Sequence, residues 1–262
     1  MNNRIIKNVV IAVSIIGFII LALFVTTNVF LKKSVQYQFN DIISYDISLE
    51  NAEIKMIVEK GNENKTIIGI SASGANNIQN ISVGEQNGVL NIEQHPKGNF
   101  IPNIGGSVKV EVILIFSDKD DIDRFLLATK SGAIKVQGIK SEQIEISSHS
   151  GKISLIDIIS NELSVSSKSG EIQAENIIAK EFNNSSESGQ CTVYFSSDIS
   201  QLNATSKSTS GDVTYMFQND IGLNLSWKAR NVKSEIESDD DSTNTLYFES
   251  ESGTVKIMRT KS

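Results

Sequence analysis

Few residues in this chain are of types that perform chemistry, and their spacing does not bring them together. The two histidines, His95 and His149, lie far apart in the sequence, whereas a metal site needs several converging ligands. The acidic run from Glu237 to Asp241 offers oxygen ligands but lacks the spacing of a calcium loop. Phosphate-binding, metalloprotease and nucleophile-elbow motifs do not occur. We therefore predict no catalytic residue, no cofactor and no metal site.

Carboxylates at outward positions are the remaining candidates for catalysis. Glu145, Glu171 and Glu187 are examples, and polysaccharide-cleaving enzymes use either paired carboxylates or calcium with a cationic side chain. Charged residues make up 21% of the chain, so acids at such positions are expected on any solvated face. A carbohydrate-active enzyme that acts on cell-wall or extracellular polysaccharide therefore stays as an alternative to a non-enzymatic protein.

The sequence repeats between Phe125 and Phe217, and the fold of this repeat determines where the outward residues lie. A Ser-Gly pair occurs four times at intervals of 19 residues, and two further pairs follow at wider intervals. A fixed period of this size is typical of a solenoid, in which one repeat is one rung. The predicted corner glycines are Gly132, Gly151, Gly170, Gly189, Gly211 and Gly253. A glycine there supplies either a positive φ or room for a close backbone approach.

Apolar residues lie two apart on both sides of each corner, which predicts strands with one buried face. β-Branched residues dominate and no helical stripe appears, so we expect an all-β, parallel, right-handed solenoid. The single cysteine, Cys191, falls in an inward column and is expected to be a small core residue. The predicted core residues are Ile134, Val136, Ile144, Ile146, Ile153, Leu155, Leu163, Val165, Ile172, Cys191 and Val193.

The N-terminal region predicts attachment to a lipid bilayer. Residues 9–31 carry no charge and would form a helix of about 34 Å, enough to span the hydrocarbon core. A cleaved signal peptide has a shorter apolar core, so we favour an uncleaved signal anchor over a cleaved signal or a buried helix. Positive charge is slightly greater on the N-terminal side of this segment than on the C-terminal side. Because the more positive flank tends to stay in the cytoplasm, we expect residues 1–8 in the cytoplasm and the β body outside.

The remaining chain forms one continuous β body. Residues 35–128 are an irregular β segment that covers one end, 129–262 are the repeat solenoid, and 219–245 are a cap-like excursion. After Lys33 the chain has 20 basic and 31 acidic residues, a net charge of −11. Such an acidic body disfavours nucleic acid as a partner.

These features together resemble a known family. An N-terminal apolar helix, Ser-Gly corners followed by Ile or Val, and the closing strand Ser252 to Ile257 are similar to the putative-adhesin family of bacterial domains of unknown function. LiaG-like envelope proteins are members. The resemblance covers roughly residues 40–258 and implies a membrane-anchored β-solenoid, in some members linked to envelope stress.

Three hypotheses about function follow. The first is a single-pass, extracytoplasmic binding or scaffold module of a bacterial envelope, whose partner is an envelope protein or a cell-wall glycan. We expect its contacts to be spread over one face built from outward residues such as Lys135, Glu145, Lys152, Gln173 and Thr192. The second is the carbohydrate-active enzyme. The third is a self-assembling scaffold of the bactofilin type, because open solenoid ends can stack.

Overall fold

The computed structural model describes residues 33–61, 65–72, 80–95, 108–116, 122–219 and 221–260. Every regular element in these ranges longer than one residue is a β-strand. The strands before the repeat are β1 (Lys33–Asn40), β2 (Ser44–Leu49), β3 (Ala52–Lys60), β4 (Lys65–Ala72), β5 (Ile81–Gln86), β6 (Val89–Gln94) and β7 (Val108–Phe116). The strands of the repeat are β8 (Ile122–Thr129), β9 (Ile134–Gln137), β10 (Lys140–Ser148), β11 (Ile153–Ser167), β12 (Ile172–Ser186), β13 (Cys191–Phe195), β14 (Asn203–Ser208), β15 (Val213–Phe217), β16 (Asn224–Ser234) and β17 (Thr245–Arg259).

The repeat is a coil in which each rung contributes strand residues to a first face before the Ser-Gly corner and to a second face after it. On the first face Phe125, Ile144, Leu163 and Phe182 are in register on successive parallel strands. On the second face Ile134, Ile153, Ile172 and Cys191 form the equivalent column. The predicted all-β, solenoid-like fold is confirmed, whereas the handedness of the coil stays a prediction.

Side chains alternate along each strand, so that one points between the two faces and the next points into solvent. All eleven residues predicted as core are buried, and Ile153, Leu163 and Cys191 are each 0% exposed. The core is mainly aliphatic in the first rungs and becomes aromatic towards the C-terminal end. There Phe195 stacks on Phe217 with ring centroids 4.9 Å apart, and Tyr215 lies 5.0 Å from Phe248.

Strands from outside the 19-residue repeat extend the coil at the N-terminal end. β2 and β3 pair in parallel with β8 and β9, which puts Tyr45 beside Phe125 and Ile54 beside Ile134. β6 and β7 pair in parallel with β2 and β3 and so form one more rung. The segment expected to be irregular thus contains two further rungs. Antiparallel pairings of β5 with β6, β4 with β7, and β1 with β4 finish this end.

The C-terminal end departs from chain order. β17 pairs in parallel with β14 and β15 on one side and with β16 on the other. The stretch 219–245, expected to be a cap-like excursion, therefore supplies a regular strand that lies beyond β17. This explains why the last Ser-Gly pair follows the previous one by about two periods.

The predicted membrane segment, residues 9–31, and the cytoplasmic stretch 1–8 lie outside the described residues. Within the part of the chain that the structure describes, no helix is both long and apolar enough to cross a bilayer.

Candidate binding surface

The corner glycines hold successive rungs at close range. A Cβ on Gly170 would lie 2.1 Å from the carbonyl oxygen of Gly151, and one on Gly189 would lie 2.0 Å from that of Gly170. None of the six corner glycines has a positive φ. Close approach of the backbone, and not a left-handed turn, is therefore the reason that these positions require glycine.

Serine side chains form hydrogen bonds that hold the same corner in place. The hydroxyl just before the glycine donates to a carbonyl of the preceding rung, as Ser150 does to Lys130 at 3.2 Å. Ser169 and Ser252 make the equivalent bonds to His149 and Thr209. The hydroxyl three residues before the glycine bonds within its own corner, since Ser148 Oγ accepts from the Gly151 amide at 2.8 Å. The Ser-x-Ser-Gly motif is thus structural.

The opposite corner was not identified from the sequence. Gly138, Asp157 and Asn176 lie 19 residues apart and all have a positive φ, of 74°, 56° and 56°. Asn176 Nδ2 donates to Asp157 Oδ1 at 2.7 Å, which links two rungs. Glycine, aspartate and asparagine are the residues that tolerate this backbone conformation. Their 19-residue spacing was the signal that could have revealed this second corner.

The first face carries a flat, uncharged polar grid at its centre. Ser164, Asn183 and Thr205 form one column of neighbours on adjacent strands, and Ser147, Ser166 and Ser185 form the next. We call these six residues the polar platform. Part of the platform lines a shallow groove of about 360 Å³ that also touches Glu145 and Lys207. Neighbours across strands are about 4.8 Å apart, so the platform presents a regular array of donors and acceptors.

Charged residues lie at the border of the platform and are paired with one another. Glu145 lies 4.0 Å from Arg124, and at the corner Glu187 lies 3.5 Å from Lys168. On the terminal rungs Lys228 donates to Glu249 at 3.0 Å. This hydrogen bond raises the pKa of Lys228 and lowers the pKa of Glu249.

The second face presents a different surface. Lys135 and Gln173 lie in one outward column with Thr192, while Lys152 donates to Gln173 Oε1 at 3.0 Å and pairs with Glu171 at 3.0 Å. Glu145 lies on the first face. The five residues named as one contact surface are therefore split between opposite faces. The error arose because the sequence period shows which residues point outward but not on which face they lie.

The candidate chemical groups do not converge. His149 is exposed at a corner, and His95 lies 3.1 Å from the Ser82 hydroxyl. Burial raises the pKa of the Cys191 thiol to about 12. The acidic run 237–241 forms a turn in which the Asp241 amide donates to Asp239. Among the described residues, no three histidine, cysteine or acidic side chains are grouped so that they could hold a metal ion.

The fold and this surface together define a class of β-solenoid protein with a structural corner motif and an open polar face. The chain belongs to the Toastrack DUF4097 family, whose model matches residues 44–262. The family resemblance seen in the Ser-Gly corners and the closing strand is thereby confirmed.

Several solved structures are similar to this chain at low identity. A putative adhesin from Bacteroides fragilis is 13% identical, with 87% of this chain and 97% of that chain covered and a TM-score of 0.47. A putative cell adhesion protein from Clostridium sporogenes is 14% identical over 88% of this chain and 100% of that chain, with a TM-score of 0.40. A putative lipid binding protein from Parabacteroides distasonis is 14% identical over 88% and 97%, with a TM-score of 0.39. No functionally curated protein matches the chain.

Proposed function

We propose that this protein is a non-enzymatic binding module of a bacterial cell surface and that its polar platform contacts a hydroxyl-rich ligand, a cell-wall glycan. The observation that carries this proposal is the uncharged grid of five hydroxyl side chains and Asn183. A hydroxyl and an amide each both donate and accept hydrogen bonds, as sugar hydroxyls do. A flat array suits an extended polymer that is held by many weak contacts.

The arrangement of the acids supports binding without catalysis. Glu145 lies on the first face, Glu171 on the second and Glu187 at the corner between them. Each of the three faces a cation of a neighbouring rung instead of another carboxylate. Hydrolysis of a glycosidic bond needs two carboxyl groups on either side of one bond, typically within about 10 Å. The pairing of these three acids with cations, on different parts of the rung, supports binding without hydrolysis.

Attachment to the cytoplasmic membrane through residues 9–31 is part of the proposal. The 23 uncharged residues of this segment support it, and the flanking basic residues favour an N-terminus in the cytoplasm. The β body would then face the cell wall. A role in envelope stress rests only on the resemblance to LiaG-like proteins. Reporter fusions at both termini test the orientation, and carbonate washing of membranes tests whether the segment remains as an anchor.

Two matched triple variants of the full-length protein in detergent test the platform. The first variant, Ser164→Ala with Asn183→Leu and Thr205→Val, removes one platform column. The control variant, Ser154→Ala with Gln173→Leu and Thr192→Val, removes a column on the same three rungs of the second face. Retention on purified cell-wall glycan should fall about tenfold or more in the first variant, because three hydrogen bonds are lost, and stay unchanged in the control.

The same assay distinguishes the enzyme from the binding module. Reducing ends and unsaturated products are measured in the unbound fraction. Product that grows with protein concentration and disappears in Glu145→Gln would refute the non-enzymatic proposal, since the loss of one catalytic acid lowers rates by orders of magnitude. Equal retention of both triple variants would refute the platform as the contact surface.

A further inference from the structure

The terminal strand β16 leaves one edge of the solenoid open. Within the described ranges, β17 is the only strand that pairs with β16. The amide of Asn224 donates towards β17, to the carbonyl of Asn244 at 2.8 Å, whereas the amide of Leu225 donates to Ser238 Oγ at 3.0 Å. The turn 237–241 thus covers the edge at Leu225, and because amides alternate along a strand, those of Trp227 and Ala229 face the same side beyond this turn.

The side chains of β16 indicate that one more strand would fit on this edge. Trp227 is in register with Phe248, which is 1% exposed and lies in the inward column. Trp227 nevertheless remains 47% exposed, because no described rung lies beyond it. Leu225, Ala229 and Val232 occupy further inward positions and are only partly buried against the core. An added strand with apolar inward residues would cover Trp227, Ala229 and Val232, which lie beyond the 237–241 turn.

The outward positions of β16 are basic. Lys228, Arg230 and Lys233 are exposed, and β16 contains no acidic residue. Lys233 is in register with Lys256 of β17, so two cations lie side by side on the second face. The chain after Lys33 carries a net charge of −11, so this basic strand contrasts with the rest of the molecule.

We propose that β16 is a docking edge for an acidic, extended segment of a partner protein, which adds to the solenoid as one further strand. Its apolar residues would lie over Trp227 and Val232, and its carboxylates would lie beside Arg230 and Lys233, since Lys228 already pairs with Glu249. Main-chain hydrogen bonds supply affinity in this mode of recognition, and side chains supply specificity. This inference is independent of the polar platform and of its ligand.

Charge disfavours a second copy of the chain as the occupant. In an antiparallel pair of two β16 strands, the seam would bring together Arg230 and Lys233 of both copies without a carboxylate from either β16 strand. Like charges that are directly opposite on paired strands are destabilising. An acidic strand replaces this repulsion with attraction.

Fluorescence of Trp227, the single tryptophan, reports directly on occupancy of the edge. Full-length protein in lipid nanodiscs is titrated with a ten-residue peptide that alternates valine and glutamate. We expect a blue shift of the emission as the indole is covered. The double variant Arg230→Glu/Lys233→Glu should weaken binding of the peptide about tenfold or more. The control Lys135→Glu/Lys152→Glu makes the same charge change on rungs remote from β16 and should bind as the unmodified protein does.

Two further measurements keep the outcome decisive. A peptide that alternates valine and lysine should bind the Arg230→Glu/Lys233→Glu variant better than it binds the unmodified protein, which a misfolded variant would not do. Hydrogen exchange at the amides of Trp227 and Ala229 should slow when the acidic peptide is bound. The proposal is overturned by an unchanged emission spectrum, by equal weakening in both double variants, by binding without amide protection, or by dimerisation through β16 in place of peptide binding.

Discussion

In the middle of the solenoid each strand pairs with a strand about one repeat away, whereas each end also contains pairs of strands that are distant in the chain. β10 and β11 pair residues 19 apart, while β2 and β8 pair residues 80 apart, and β14 and β17 pair residues 42 apart. Both kinds of pair use parallel ladders and the same inward columns. Local connectivity makes the middle easy to recognise in the sequence, and distant connectivity hides rungs with the same packing.

The first test of this comparison places a charge in the hydrophobic core in the middle of the solenoid. Ile153→Asp buries a carboxylate without a partner at a fully buried site, and we expect it to reduce the free energy of unfolding by roughly 4 kcal/mol or more. Lys152→Asp, one residue away and exposed, should change stability little. Chemical denaturation followed by circular dichroism measures both.

Leu225→Asp provides the counterpart at the end of the coil. Leu225 is only partly buried on β16, so a carboxylate there keeps access to water and should cost much less than at Ile153. Equal destabilisation by the changes at 152 and 153 would refute the alternation of inward and outward positions. Equal destabilisation at 153 and 225 would remove the distinction between the middle and the end.

The second test compares two glycines. Gly170→Ala places a methyl group 2.1 Å from a backbone carbonyl of the neighbouring rung, and we expect a loss of about 1–3 kcal/mol or more, because backbone must move. Gly84 lies on β5 at the N-terminal end, where an added Cβ meets no atom within 4 Å. Gly84→Ala should therefore be neutral or stabilise by about 0.5–1 kcal/mol. Thermal unfolding measures the stability of the two variants. A loss of stability in Gly84→Ala as large as that in Gly170→Ala would contradict the close-packed corner.

The third test, with the smallest expected effect, concerns how stability falls at alkaline pH because of Cys191 in the middle of the solenoid. The pKa of Cys191 is raised by burial to about 12, so the unfolded thiol ionises first, from about pH 9. Stability linked to this group is complete below pH 9 and is lost as the pH rises towards 12. Cys191→Val should make the fall in stability over this range less steep, whereas Ile172→Val, in the same column, should leave its steepness unchanged. Identical slopes in all three proteins would mean that the thiol does not contribute.

The sequence predicted the middle of the fold well for a physical reason. A 19-residue period forces the same side chains into the same columns, and Gly132 to Gly189 mark the register because a Cβ there would collide with the preceding rung. The rung formed by β2 and β3 has Asn51-Ala52 at its corner in place of Ser-Gly, so its alternation was visible but its register was not. Pairing between distant strands leaves no periodic signal.

The surface was less accessible to sequence reasoning than the core. Alternation separates inward from outward residues, but the assignment of Glu145 to one face and Lys152 to the other depends on where the chain turns. The second corner at Asp157 and Asn176 fixes that turn, and its signal is a repeated left-handed conformation in residues of three different types. Trp227 is the single tryptophan, but only the pairing of β16 with β17 places it at the open end.

The position of β17 has a consequence for synthesis of the protein. This strand is translated after β14, β15 and β16, yet it lies between β14–β15 on one side and β16 on the other. Until translation reaches Arg259, β14 and β15 have no neighbour on that side and β16 lacks the one described strand that pairs with it. A chain that terminates before β17 would therefore expose unpaired strand edges to proteases.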